Sequence, residues 1–180
     1  MTQVKTLVLV TGLQGTGKST VADIAGTVLS APVLAHDWAM SGLRPYAKVQ
    51  AALDAMDPPG HRAVGWSLLH ALARSQMRRG CSVVLDGVAR SPEVDRCRHL
   101  AAEEGARFAL IVTQCSDLNL HRARIENRQR DIPDWYEIDW RHVEATRTTW
   151  AVLTGVDLVV DATVPLDQNA FSVRALLHPS

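Results

Sequence analysis

Eight residues near the amino end carry the clearest chemistry in the chain. Gly12-Leu13-Gln14-Gly15-Thr16-Gly17-Lys18-Ser19 fits G-x-x-x-x-G-K-[ST] without a mismatch. Glycines at these positions permit a tight turn whose backbone N–H groups converge on phosphate oxygens at the positive end of a helix. Lys18 supplies a point charge for β- and γ-phosphates, and the Ser19 hydroxyl suits the shell of a Mg²⁺ ion. The spacing therefore implies a nucleotide site, ATP with Mg²⁺, built from Gly12, Gly15, Thr16, Gly17, Lys18, Ser19 and Thr20.

Two acids follow apolar runs. Pro32–His36 leads to Asp37, and Val83-Val84-Leu85 leads to Asp86. Ligands of open α/β sheets bind beyond the carboxyl ends of the strands, so both carboxylates are candidates for the site. Asp37 there is placed to accept the proton of an attacking hydroxyl, or else to cap a helix. Asp86 is expected to hold a metal-bound water or to steer the acceptor. A third group is His121-Arg122-Ala123-Arg124-Ile125-Glu126-Asn127-Arg128. At i,i+4 on a helix, Arg124 and Arg128 share a face; Arg122 and Arg130 fit a plain charged surface.

These residues need a scaffold, and the rest of the chain describes one. Apolar runs Lys5–Thr11, Pro32–His36, Cys81–Leu85, Arg107–Thr113 and Asp157–Asp161 alternate with helical patterns starting near Lys18, Gly65, Pro92, Leu118, Asp139 and Leu166. Strands that are apolar on both faces indicate a parallel sheet covered by helices. Ala55–Gly60, with Pro58-Pro59-Gly60, predicts a loop. Ser91 before Pro92 predicts a helix cap with proline at the first helical position. Residues 130–140 mix acids, a proline and aromatics without periodicity, which suits either a lid or a surface loop pinned by its aromatics.

Composition narrows the function further. The chain has 180 residues, room for one domain. Nineteen basic and nineteen acidic residues cancel, which disfavours a broad footprint on nucleic acid or on an anionic membrane. Cys81, Cys97 and Cys115 show no ligand spacing and are expected as small buried thiols. No apolar run is long enough for a signal peptide or a membrane span, so the expected location is cytoplasmic. GTPase signatures are missing: Ala89 stands where D-x-x-G from Asp86 would need glycine, and N-K-x-D does not occur.

Together the stations resemble the P-loop kinase superfamily, which includes nucleoside monophosphate kinases, gluconate kinase, adenylylsulfate kinase and the kinase domain of polynucleotide kinase. The resemblance implies a three-layer α/β fold over residues 1–180, with a five-stranded parallel sheet in order 2-3-1-4-5 and a lid at about 129–140. It implies that Asp37 faces the acceptor, with Arg44 as the arginine that often follows it. Asp86-Gly87-Val88-Ala89-Arg90 is similar to D-G-x-P-R of adenylate-kinase-like enzymes, which makes Arg90 a candidate contact to a substrate phosphate. Arg124 and Arg128 would hold adenine and phosphates, and the turn Ala162–Pro165 would line the adenine pocket. Trp38–Leu72 should build most of the acceptor pocket.

The implied function is Mg-ATP-dependent transfer of the γ-phosphate to a hydroxyl of a small molecule. Lys18, Asp37 and Arg128 would carry the chemistry. Ser19 and Asp86 would hold the metal, and Asp37, Arg44, Asp86 and Arg90 would meet the acceptor. The alternatives are a kinase for a nucleotide or a polynucleotide 5′-hydroxyl end, with Arg74, Arg78, Arg79 and Arg90 as the basic patch, and a non-catalytic nucleotide-gated binding module.

Overall fold

The computed structural model describes residues 4–178; the outermost residues of the expected 1–180 domain lie outside the described ones. The strands are β1 (Thr6–Gly12), β2 (Val33–Ala35), β3 (Val83–Asp86), β4 (Arg107–Gln114) and β5 (Leu158–Asp161). All pair in parallel, in the order β2-β3-β1-β4-β5. This is the expected sheet. The helices are α1 (Lys18–Leu29), α2 (His36–Ser41), α3 (Ala47–Asp54), α4 (Pro58–Arg78), α5 (Ser91–Glu103), α6 (Leu118–Glu126), α7 (Trp140–Thr149) and α8 (Leu166–Leu177).

Pleating sends alternate residues of the central strands into two separate cores. Leu7, Leu9, Val83, Leu85 and Leu110 pack with Trp66 and Leu69 of α4 and Val94 and Leu100 of α5. Val8, Val10, Val84 and Ile111 pack on the opposite face with Val21 and Ala25 of α1 and Val173 of α8. The strand residues are fully buried, which accounts for runs that are apolar without alternation. Removing one such leucine side chain would cost about 2–5 kcal/mol.

Two local expectations are corrected. The Pro58-Pro59 pair does not sit in a loop but opens α4, seven residues before the expected start at Gly65. Asp57 caps it, accepting from the Gly60 N–H at 2.7 Å, and prolines in a first turn forfeit no intrahelical hydrogen bond. At α5 the cap is Arg90 instead of Ser91, and the Arg90 N–H donates to Glu93 Oε2 at 2.8 Å. Cys81 is exposed, whereas Cys97 and Cys115 are buried as expected. Among the described residues, no helix is long and apolar enough to cross a membrane.

Candidate active site

The loop between β1 and α1 is held from beneath by β4. A Cβ on Gly12 would lie 2.2 Å from the Thr113 carbonyl oxygen, so only glycine lets the loop leave the sheet here. Thr16 is buried, its hydroxyl 2.7 Å from both the Leu13 carbonyl and the Thr113 hydroxyl. Gly15 has φ +78°, and Ile125 and His121 pack directly against it. Gly12 and Thr16 thus shape the loop. Gly15, Gly17, Lys18, Ser19 and Thr20 line a cavity of about 580 Å³ above it.

Lys18 Nζ donates to the Leu13 carbonyl at 2.9 Å. Burial, helped by Arg128 and Arg130, pushes its pKa down to about 8 against the pull of Asp86 and Asp37. Asp86 pairs in register with Val10 of β1 and Ala35 of β2, so its carboxylate stands beside the loop. Oδ2 accepts from the Ser19 hydroxyl at 2.9 Å, while Oδ1 is buried without a partner. Burial raises the carboxyl pKa; Lys18 and Ser19 oppose the rise. An unpartnered carboxylate oxygen next to a serine hydroxyl is a donor set that suits a hydrated Mg²⁺ ion.

Asp37 lies in the first turn of α2, just past β2, and lines the same cavity. It forms an ion pair with Arg130 and stands 3.5 Å from His36 Nδ1. Burial alone would raise its pKa, but the hydrogen bond from His36 and the Arg130 charge hold it at about 2. Arg124 and Arg128 both line the cavity. The expectation that they share one helix is corrected, because α6 ends at Glu126; the chain turns there, with the Arg128 N–H donating to the Ile125 carbonyl. Arg124 donates to the Ala162 carbonyl at 3.2 Å, in the turn after β5. Arg128 is half-buried, and burial together with Arg130 lowers its pKa.

Other expected residues lie elsewhere. Arg90 does not line the cavity and donates to the Thr149 carbonyl and hydroxyl at 2.8 and 3.0 Å, while Trp150 Nε1 donates to the Ala89 carbonyl. Both tether the end of α7 to the loop after β3. Arg44 lies over the Trp135 and Tyr136 rings, at 5.6 and 5.5 Å from their centroids, outside the cavity lining. Arg74 and Arg78 are paired with Glu103 and Glu104 of α5, and Arg79 donates to Ser75. Of the stretch Trp38–Leu72, Trp38 alone lines the cavity among the described residues; Arg130, Ile132, Trp135, Tyr136, Ile138 and His142 line it as well.

Two buried residues around the loop and the cavity carry no motif in the sequence. Arg130, grouped there with surface charge, has a side chain only 10% exposed and bridges Asp37 and Glu137. His121 is 1% exposed; its Nε2–H donates to the Gln14 carbonyl at 2.6 Å and its Nδ1 accepts from Arg147 at 3.2 Å. It joins the phosphate loop to α7. No periodic signal marks either residue, since their partners are remote in sequence.

Comparison with known proteins places this geometry among relatives. Residues 7–153 match the model of an AAA domain family. A sequence comparison with curated proteins finds no match. Among solved structures, a gluconokinase from Sinorhizobium meliloti 1021 is similar at TM-score 0.70 and 17% identity, covering 97% of this chain and 93% of that one. A sugar kinase from Janibacter sp. is similar at TM-score 0.69 and 13% identity, covering 97% and 94%. An APS kinase from Mycobacterium tuberculosis, solved with AMPPNP and APS, is similar at TM-score 0.64 and 21% identity, covering 97% and 98%. At these identities the likeness is one of fold, the P-loop kinase fold.

Proposed function

We propose, from the premise that this chain belongs to the AAA domain family, that it transfers the γ-phosphoryl group of ATP to a hydroxyl of a small-molecule acceptor. One observation carries the reading. Lys18, Ser19, Asp86, Asp37, Arg128 and Arg130 all line a single cavity. A site that only held nucleotide would have no use for a second carboxylate, Asp37, beside Asp86 and the phosphate loop.

The loop N–H groups and the start of α1 receive the phosphates. Lys18 leaves the Leu13 carbonyl for the β- and γ-oxygens, and the arriving negative charge restores its full protonation. Ser19 and Asp86 would hold Mg²⁺, which when bound neutralises charge on those same oxygens. Arg124 and Arg128 close over the nucleotide from the end of α6, and residues 129–140 serve as a lid. Asp37 orients the acceptor hydroxyl toward the γ-phosphorus and takes its proton as the new O–P bond forms and the bond to ADP breaks. A carboxylate held near pKa 2 is a weak base, so positioning is its larger contribution. That suffices for a transfer with a loose transition state.

Arg74 and Arg78 are paired with Glu103 and Glu104, which gives no support to a polynucleotide end as acceptor. The test is incubation with Mg²⁺ and radiolabelled γ-phosphate ATP in the presence of pooled hydroxyl-bearing metabolites. Label must appear in an organic phosphate ester. Tight ATP binding with no ester formed would leave a nucleotide-gated binding module.

A further inference from the structure

His121 stands against the phosphate loop between two partners that can each play a single role. Its Nε2 lies 2.6 Å from the Gln14 carbonyl oxygen, which only accepts, so that nitrogen carries the proton. Its Nδ1 lies 3.2 Å from Arg147 Nη2, which only donates, so that nitrogen offers its lone pair. The ring is therefore neutral and held in one tautomer, at 1% exposure. Burial, seconded by Arg147, Lys18 and Arg124, keeps its pKa below the usual histidine value against the pull of the Gln14 carbonyl. Trp140 meets the ring edge-on, with centroids 5.1 Å apart and planes at 87°, and Arg147 in turn lies over Trp140 at 5.3 Å. Two residues of α7 thus set where the Nε2–H points.

The bond to Gln14 decides the direction of a neighbouring donor. A trans peptide group is planar, so its C=O and the following N–H point in opposite directions, and no peptide bond among the described residues is cis. The Gln14 carbonyl is turned toward His121, so the Gly15 N–H is turned the other way. Gly15 lines the cavity, and among the described residues its N–H donates to no backbone carbonyl. A flip of this peptide would present an oxygen to an arriving phosphate in place of an N–H. Glycine, here at φ +78°, lacks the Cβ that would bar such a flip. The hydrogen bond from His121 opposes it.

We infer that His121 is a positioning residue for the nucleotide: it holds the Gln14 carbonyl away from the phosphates so that the Gly15 N–H faces them, and α7 holds His121. The inference rests on the nucleotide-binding part of the proposed function and is independent of the acceptor.

The experiment compares His121→Gln with His121→Met in the full chain. Glutamine offers a donor and an acceptor, as the neutral imidazole does, whereas methionine has similar length and no donor. Calorimetry measures binding of ATP and of inorganic pyrophosphate, and NMR follows the Gly15 amide resonance. His121→Met should weaken both ligands roughly tenfold or more, the scale of one hydrogen bond to a charged group. Its Gly15 amide proton should no longer move downfield when ligand is added. His121→Gln should stay within about threefold of wild type in both affinities and keep the Gly15 shift. A folded His121→Met protein with wild-type affinity would overturn the inference and leave His121 a packing residue. A His121→Gln protein as weak as His121→Met would overturn it too. Should His121→Met not fold, wild type and His121→Gln decide: a Gly15 amide proton that stays in place while pyrophosphate binds overturns the inference. Wild type that binds neither ligand would overturn nucleotide binding itself, and the inference with it.

Discussion

Arg130 and Asp37, both lining the cavity, form an ion pair although 93 residues separate them in the chain. The contact joins the irregular segment after α6 to the first turn of α2. The residue proposed to meet the acceptor is thereby fixed by the segment proposed to close over it.

Asp37→Asn should leave Mg-ATP affinity within a few-fold of wild type and lower transfer by roughly 10²-fold, the scale of a misplaced acceptor. Calorimetry of ATP binding beside acceptor turnover makes the comparison. The same variant tests the electrostatics. The Asp37 pKa is depressed from 3.8 to about 2, so its stabilising effect is complete above about pH 4 and is lost as pH falls through 2. The stability gap between wild type and Asp37→Asn should close over that window in acid titrations followed by circular dichroism.

Lys18→Ala should abolish nearly all phosphoryl transfer while the far-ultraviolet spectrum stays native. Because the free protein holds Lys18 near pKa 8, part of the population is neutral at pH 8. Phosphate oxygens favour the charged form, so ATP binding at that pH should take up a proton. Calorimetry in buffers of different ionisation enthalpy will show the uptake in wild type and its loss in Lys18→Ala.

Arg128→Ala should reduce kcat by roughly 10²-fold or more, the scale of losing one donor to transition-state charge, with a smaller change in ATP affinity. Steady-state kinetics separates the two effects. A change confined to thermal stability would assign Arg128 to the scaffold.

Gly12→Ala should be damaging without touching ligand. The new methyl group would meet the Thr113 carbonyl oxygen at 2.2 Å and its hydroxyl at 2.4 Å, and neither lies at the end of a flexible side chain. A cost of about 1–3 kcal/mol and a fall of several degrees in Tm are expected. Calorimetric melting checks it, and ATP affinity should fall as the loop is pushed off β4.

The phosphate loop was legible because its work is local. Gly12 to Ser19 are contiguous, and their backbone geometry follows from glycine spacing and the start of α1. The strands were legible for a similar reason: Val8, Val10, Leu7 and Leu9 are apolar on both faces, which only a covered parallel strand requires. Short helices α2 and α3 carry too few turns to show a period, and the Pro58-Pro59 pair reads as a breaker until the Asp57 cap is seen. The use made of each arginine was decided by tertiary structure alone. Arg130 finds Asp37, Arg90 finds Thr149 and Arg44 finds the Trp135–Tyr136 pair because the sheet order and the turn after α6 bring distant segments together. A guanidinium on a long, flexible stem carries the same charge at every position, and only the surrounding partners determine whether it binds a ligand or ties the protein to itself.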